Sequence, residues 1–101
     1  MTKKSFKIKY TILALSQFKE LQQDKSKLNQ YKAIGKAIAL MQTDLRHPSL
    51  NTHEYSKLSR DKGYKIFESY AQNKTPCAYR IFWRYGPAKD EIEIIAITPH
   101  P

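Results

Sequence analysis

The chain is 101 residues long, 41% hydrophobic and 12% aromatic, which is the make-up of one folded domain spanning residues 1–101 and not of a disordered chain. No apolar run approaches the roughly 18 residues of a membrane span, and the lone cysteine, Cys77, can make neither an internal disulfide nor a zinc site. Eighteen Lys and Arg against nine Asp and Glu give +9, with residues 66–101 balancing to zero, so the positive pole lies in residues 1–65 and predicts a polyanion or an acidic protein as partner.

The basic N-terminus followed by Ile12–Leu15 mimics a signal peptide, but this run is far shorter than an h-region of about 7–15 residues. The expectation is a chain mature as written, in the reducing cytoplasm. Phe6-Lys7-Ile8-Lys9-Tyr10 alternates with period two and predicts a first strand. From Thr11 the period becomes helical, with Leu15, Phe18 and Leu21 on one face. The polar stretch Gln22–Lys27 breaks that helix, and Asp24 or Ser26 is suited to cap the next. Leu28, Tyr31, Ile34, Ile38, Met41 and Leu45 then keep helical spacing around Gly35, a mild cost that close packing would explain. Lys25, Lys32 and Lys36 fall on the opposite stripe, as a solvated face or as an electrostatic landing surface. Pro48 disfavours helical backbone at His47 and ends the helix. A loop runs on through His53, and Leu58 is expected to return to the core.

Asp61-Lys62-Gly63 marks a turn. Tyr64–Tyr70 alternates, with Tyr64, Ile66, Glu68 and Tyr70 on one side and Lys65, Phe67 and Ser69 on the other. After the turn Asn73–Pro76, Ala78–Tyr85 is the clearest strand; Gly86-Pro87 breaks it, and Lys89-Asp90 leads into a last strand, Glu91–Thr98. The order is β-α-α-β-β-β: an α+β fold with an N-terminal strand and a helical hairpin packed on one face of an antiparallel sheet. Tyr79, Ile81, Trp83 and Tyr85 suit the core beneath the helices. Ala78, Arg80, Phe82 and Arg84 then look outward, and the two guanidiniums suit phosphate. The alternative is a cross-strand ion pair of Arg80 with Glu68 or Glu93. His100 follows the last strand between Pro99 and Pro101, which restrict its backbone.

The ordering of elements, Lys57-Leu58, the Tyr79-Arg80-Ile81 centre of the long strand and the ending Ile95–His100 resemble the RelE/ParE superfamily, the small bacterial toxins of type II toxin–antitoxin systems. The resemblance covers essentially the whole chain, and residues 46–58 are similar to a branch of RelE/ParE-like proteins. It implies one of three functions. RelE-like members cut messenger RNA on the ribosome without a metal or cofactor. ParE-like members poison DNA gyrase without catalysis. A third possibility is a toxin fold that has become a binding module. For either kind of toxin the expected partner is a cognate antitoxin, acidic or of mixed charge; mRNA and ribosome are expected for the nuclease alone.

RNA cleavage would need a group to deprotonate the ribose 2′-OH, a donor for the leaving 5′-oxygen, and positive charge at the phosphate. The product would be a 2′,3′-cyclic phosphate. The resemblance implies that Arg80 holds the phosphate and that His100 is general acid or base. His53 and Glu54, adjacent in the loop before Lys57, are candidates for the second proton-transfer group, with Glu68 as a further candidate base. Lys57 and Lys65 would add positive charge beside Arg84, and Tyr70 or Tyr85 would stack on an exposed base. His53 could equally be a loop cap, His47 a structural residue and Trp83 core; Cys77 lacks a neighbour that would activate it. No P-loop, HExxH or GxSxG pattern is present, which excludes the enzyme classes built on them.

Overall fold

The structure is a computed structural model that describes residues 5–100; part of the basic N-terminus, with Lys3 and Lys4, and Pro101 lie outside the described residues. Its elements are β1 (Lys7–Tyr10), α1 (Ile12–Gln23), α2 (Leu28–Thr43), β2 (His53–Glu54), α3 (Ser56–Lys62), β3 (Phe67–Tyr70), β4 (Tyr79–Tyr85) and β5 (Glu91–Pro99). They form one five-stranded sheet in the order β1-β5-β4-β3-β2. The α+β class and the helical layer on one face are as expected. The sheet is mixed, however: β2 to β5 pair antiparallel, while β1 runs parallel to β5, from Lys7 opposite Glu91 to Tyr10 opposite Ile94.

The core lies between the helices and one sheet face. Ala14 and Leu21 of α1 and Ile34, Ala37, Ile38 and Met41 of α2 close over Ile81, Trp83, Ile92, Ile94 and Ile97. Each large apolar side chain buried this way contributes about 1.5–3 kcal/mol. Trp83 is fully buried and its indole N–H donates to Ser69 Oγ at 2.8 Å, so the largest core residue leaves no polar atom stranded. The inward face of α1 is rotated from the expected one. Ala14 takes the core position, Leu15 is 41% exposed, and Phe18 packs partly buried against Tyr10 and Tyr31. Gly35 needs no close packing, since a Cβ there would meet nothing within 4 Å. Asp24 caps the 3-10 turn Lys25–Lys27 rather than α2, whose N-cap Lys27 makes no side-chain cap bond; the Asp24 carboxylate takes the Ser26 hydroxyl at 2.6 Å and the Ser26 N–H at 2.9 Å, bonds that hold its carboxyl below the usual range.

Two elements lie in the stretch read as loop and turn. β2 is a two-residue edge strand, and α3 is a short helix ended by Gly63 at φ 78, a left-handed cap that glycine adopts without strain. Leu58 of α3 is half-buried, outside the main core cluster. β3 starts at Phe67 rather than Tyr64, although the predicted side-chain alternation holds.

β5 does not alternate simply. Phe82 pairs with Ala96 but Trp83 pairs with Ile94, so Ile95 is an extra residue, a β-bulge. Ile92 and Ile94 face the core before the bulge, and Ile97 faces it after. Thr11 clamps this point. Its hydroxyl donates to the Ile95 carbonyl at 2.8 Å, its N–H donates to the Ile94 carbonyl at 2.9 Å, and its Oγ1 caps α1 by accepting from Ala14 N–H at 3.1 Å.

Candidate active site

The bulge decides what the far face of the sheet carries. Arg80 pairs with Tyr70 on one side and Thr98 on the other. Antiparallel partners share a face, so Tyr70, Arg80 and Thr98 form one row on the side away from α1 and α2. The next row toward β2 holds Phe82, Glu68 and His53. His100 extends the pattern: its N–H donates to the Ala78 carbonyl at 2.7 Å, and strand alternation puts it on the face of Thr98 and Arg80. It is exposed. Register alone thus brings His53, Glu68, Arg80 and His100 to one face.

Within that face the contacts are specific. His53 Nε2 lies 2.8 Å from Glu68 Oε1, and His53 Nδ1 lies 2.9 Å from the Asn51 carbonyl oxygen. The carbonyl can only accept, so the Nδ1 contact is donated by the imidazole, and Nε2 faces the Glu68 carboxylate. Arg80 stacks on Tyr70, its Cζ 3.6 Å from the ring centroid, and Nη1 donates to the Gln72 carbonyl. Its Nε faces Glu68 Oε2 at 3.7 Å, an ion pair too long for a hydrogen bond, and is buried without a hydrogen-bond partner. Tyr55 packs edge-on against Phe82 and leads into α3, which walls the face beside Ile66.

The sequence reading requires three corrections here. Arg80 lies on the outward sheet face as expected but is not open to solvent: it is 6% exposed, because Tyr70, Gln72 and Glu68 converge on it. The alternative pairing with Glu68 is the one observed, while Glu93 pairs instead with Arg84. Glu54 is not the partner of His53. It pairs in register with Phe67, which puts it on the opposite face, and Glu68 takes that role. Tyr70 has one ring face covered by the Arg80 guanidinium.

Lys57 is exposed in the first turn of α3. Arg84 is on the Arg80 face four residues farther along β4, about 13 Å at strand rise, with its Nε 2.8 Å from Glu93 Oε1 and its Cζ 4.7 Å from the Tyr64 ring. Lys65 and Tyr85 line a cavity beside Arg84 at that end, so the proposed RNA-binding residues divide between two ends of the sheet. Gln72 and Asn51, which fix Arg80 and His53 through backbone carbonyls, carried no signal in the sequence.

No protein-family model matches the sequence, and no curated protein matches it. Two solved structures share the fold over nearly the whole chain. A YoeB/ParE toxin from Agrobacterium tumefaciens superposes with a TM-score of 0.65 at 12% identity, covering 95% of this chain and 100% of the other. A YoeB dimer from Staphylococcus aureus superposes with a TM-score of 0.63 at 14% identity, covering 96% and 99%. This chain therefore shares the fold of these YoeB/ParE toxin structures.

Proposed function

We propose that the chain is the toxin of a type II toxin–antitoxin pair and that it cuts messenger RNA on the ribosome without a metal. The observation that carries this reading is the common sheet face of His100, Glu68, His53 and Arg80, with His100 exposed and the others linked by contacts of 2.8–3.7 Å. The fold shared with YoeB/ParE toxins supports the toxin assignment. The charge of +9 suits both RNA and an acidic antitoxin.

In the proposed reaction the ribose O2′ attacks the adjacent phosphorus as its proton passes to the Glu68–His53 pair. The P–O5′ bond breaks, and O5′ takes a proton from His100. The products are a 2′,3′-cyclic phosphate and a 5′-hydroxyl. His53 has both ring nitrogens engaged, so it orients Glu68 rather than accepting the proton alone. Arg80 is committed to Gln72 and Tyr70 and contributes its charge from within the wall, and the exposed Lys57 of α3 is proposed to add positive charge.

The burial of Arg80 favours one competing reading, a non-catalytic toxin that acts on a protein such as gyrase. Induced expression of the wild type and of His100→Ala separates the two. The nuclease reading expects growth arrest with new mRNA 5′ ends, mapped by primer extension, and loss of both with His100→Ala. Arrest that survives His100→Ala, with intact mRNA and damaged DNA, would establish the gyrase reading instead.

A further inference from the structure

Tyr85 stands at the end of β4 remote from His100, five residues beyond Arg80 and so about 17 Å away along the strand. It is 51% exposed and lines two cavities at once. One, of about 480 Å³, is walled by Arg46, His47, Asn51 and Thr52 from the connection after α2. The other, of about 400 Å³, is walled by Tyr64, Lys65, Phe67 and Arg84. Tyr85 is the lining residue the two cavities share, and we treat them as the lobes of one groove that meet at its ring.

Three features of the groove point to one ligand chemistry. Among the described residues, no carboxylate lines either lobe. Arg46 and Lys65, one in each lobe, are exposed, and among the described residues their side chains make no ion pair or hydrogen bond, whereas Arg84 is already bonded to Glu93. The Tyr85 ring is packed by T-shaped contacts to Trp83 at 5.0 Å and Phe67 at 5.5 Å and a tilted contact to Phe6 at 6.0 Å, which hold it in place while leaving it half exposed. An available cation on either side of a fixed, half-exposed ring matches a flexible polyanion whose units carry flat bases. An acidic peptide would use the cations but has no need of the ring.

We propose that this groove is an accessory site for single-stranded RNA, in which one base stacks on Tyr85 and flanking phosphates meet Arg46 on one side and Lys65 on the other. As an account of the natural substrate it rests on the messenger-RNA reading above. It adds a second grip that would hold the strand a few nucleotides from the cleavage face.

The probe is a fluorescently labelled single-stranded RNA of about ten nucleotides. Its affinity is measured by anisotropy between about 50 and 200 mM salt. Tyr85→Ala should weaken binding by roughly tenfold or more, and Tyr85→Phe should restore it. Arg46→Gln and Lys65→Gln, both at exposed positions that folding does not use, should each lower the slope of log affinity against log salt by about 0.7. Lys19→Gln, on the outer face of α1, should change neither affinity at fixed salt nor the contribution of the groove. Unchanged affinity in Tyr85→Ala together with unchanged slopes in both cation variants would overturn the proposal. So would loss of an acidic peptide's binding in these variants while RNA binding persists. If mRNA stays intact in cells while purified protein binds the probe with the expected dependence, the cleavage reading fails and the groove stands. If cleavage occurs but ignores all three substitutions, and so does affinity, the groove fails and the cleavage reading stands.

Discussion

Arg80 and Arg84 project from the same face of the same strand, yet their surroundings give them different work. The Arg80 side chain is 7% exposed, stacked on Tyr70 and opposed to a Glu68 side chain that is 11% exposed. The Arg84 side chain is 25% exposed and bonded to a Glu93 that is 23% exposed. Each arginine has a carboxylate, but only one pair has given up its water. Charge in the first pair is fixed and local, and it sets the geometry of its neighbours. Charge in the second is screened, and it serves mainly to hold a guanidinium over Tyr64 beside an open groove. Residue type and strand parity were shared; depth of burial made the difference.

The sharpest way to break this contrast is Arg80→Ala. It leaves the Glu68 carboxylate in a buried site with only His53 to balance it, and should cost about 3–5 kcal/mol in urea denaturation. Combining Arg80→Met with Glu68→Gln should recover most of that loss, because the remaining groups then need no counter-charge. Thr11→Ala tests the bulge that aligns the two ends of the face. It removes both the α1 cap and the hydroxyl bond to Ile95, and should cost about 1–2 kcal/mol, with faster amide exchange at Ala14; Thr11→Ser should lose less. Arg84→Ala should be the mildest, within about 1 kcal/mol, since its ion pair is partly solvated. A large loss there, or a small one for Arg80→Ala, would erase the distinction between the two ends.

Much of the fold was legible because it is written in periodicities. The parity of β4 is clear from Ile81 and Trp83 alternating with Arg80 and Phe82, and the two long helices from spacing around Ile34, Ile38 and Met41. Short elements were not. α3, Ser56–Lys62, holds one apolar residue, Leu58, too few to define a face, and β2 is two residues long. In α1 a run of apolar residues, Ile12 to Leu15, allowed two rotations of the helix, and tertiary packing chose the one that buries Ala14. The candidate site was legible in its members but not in its pairings. Adjacency in the chain suggested His53 with Glu54, whereas the sheet joins His53 to Glu68 across a strand pair. Arg80 could be read as a surface cation because nothing in the sequence announces that Gln72 will turn its carbonyl toward it.

The bulge at Ile95 gives the last strand an arithmetic of its own. Continued alternation from Ile92 and Ile94 would send Ala96, Thr98 and His100 beneath the helices and turn Ile97 out to water. One unpaired residue inverts that outcome. The side on which the His100 imidazole emerges is therefore governed by an odd-or-even rule on the number of residues between Ile94 and His100, a constraint indifferent to which side chains fill the interval and strict about how many there are.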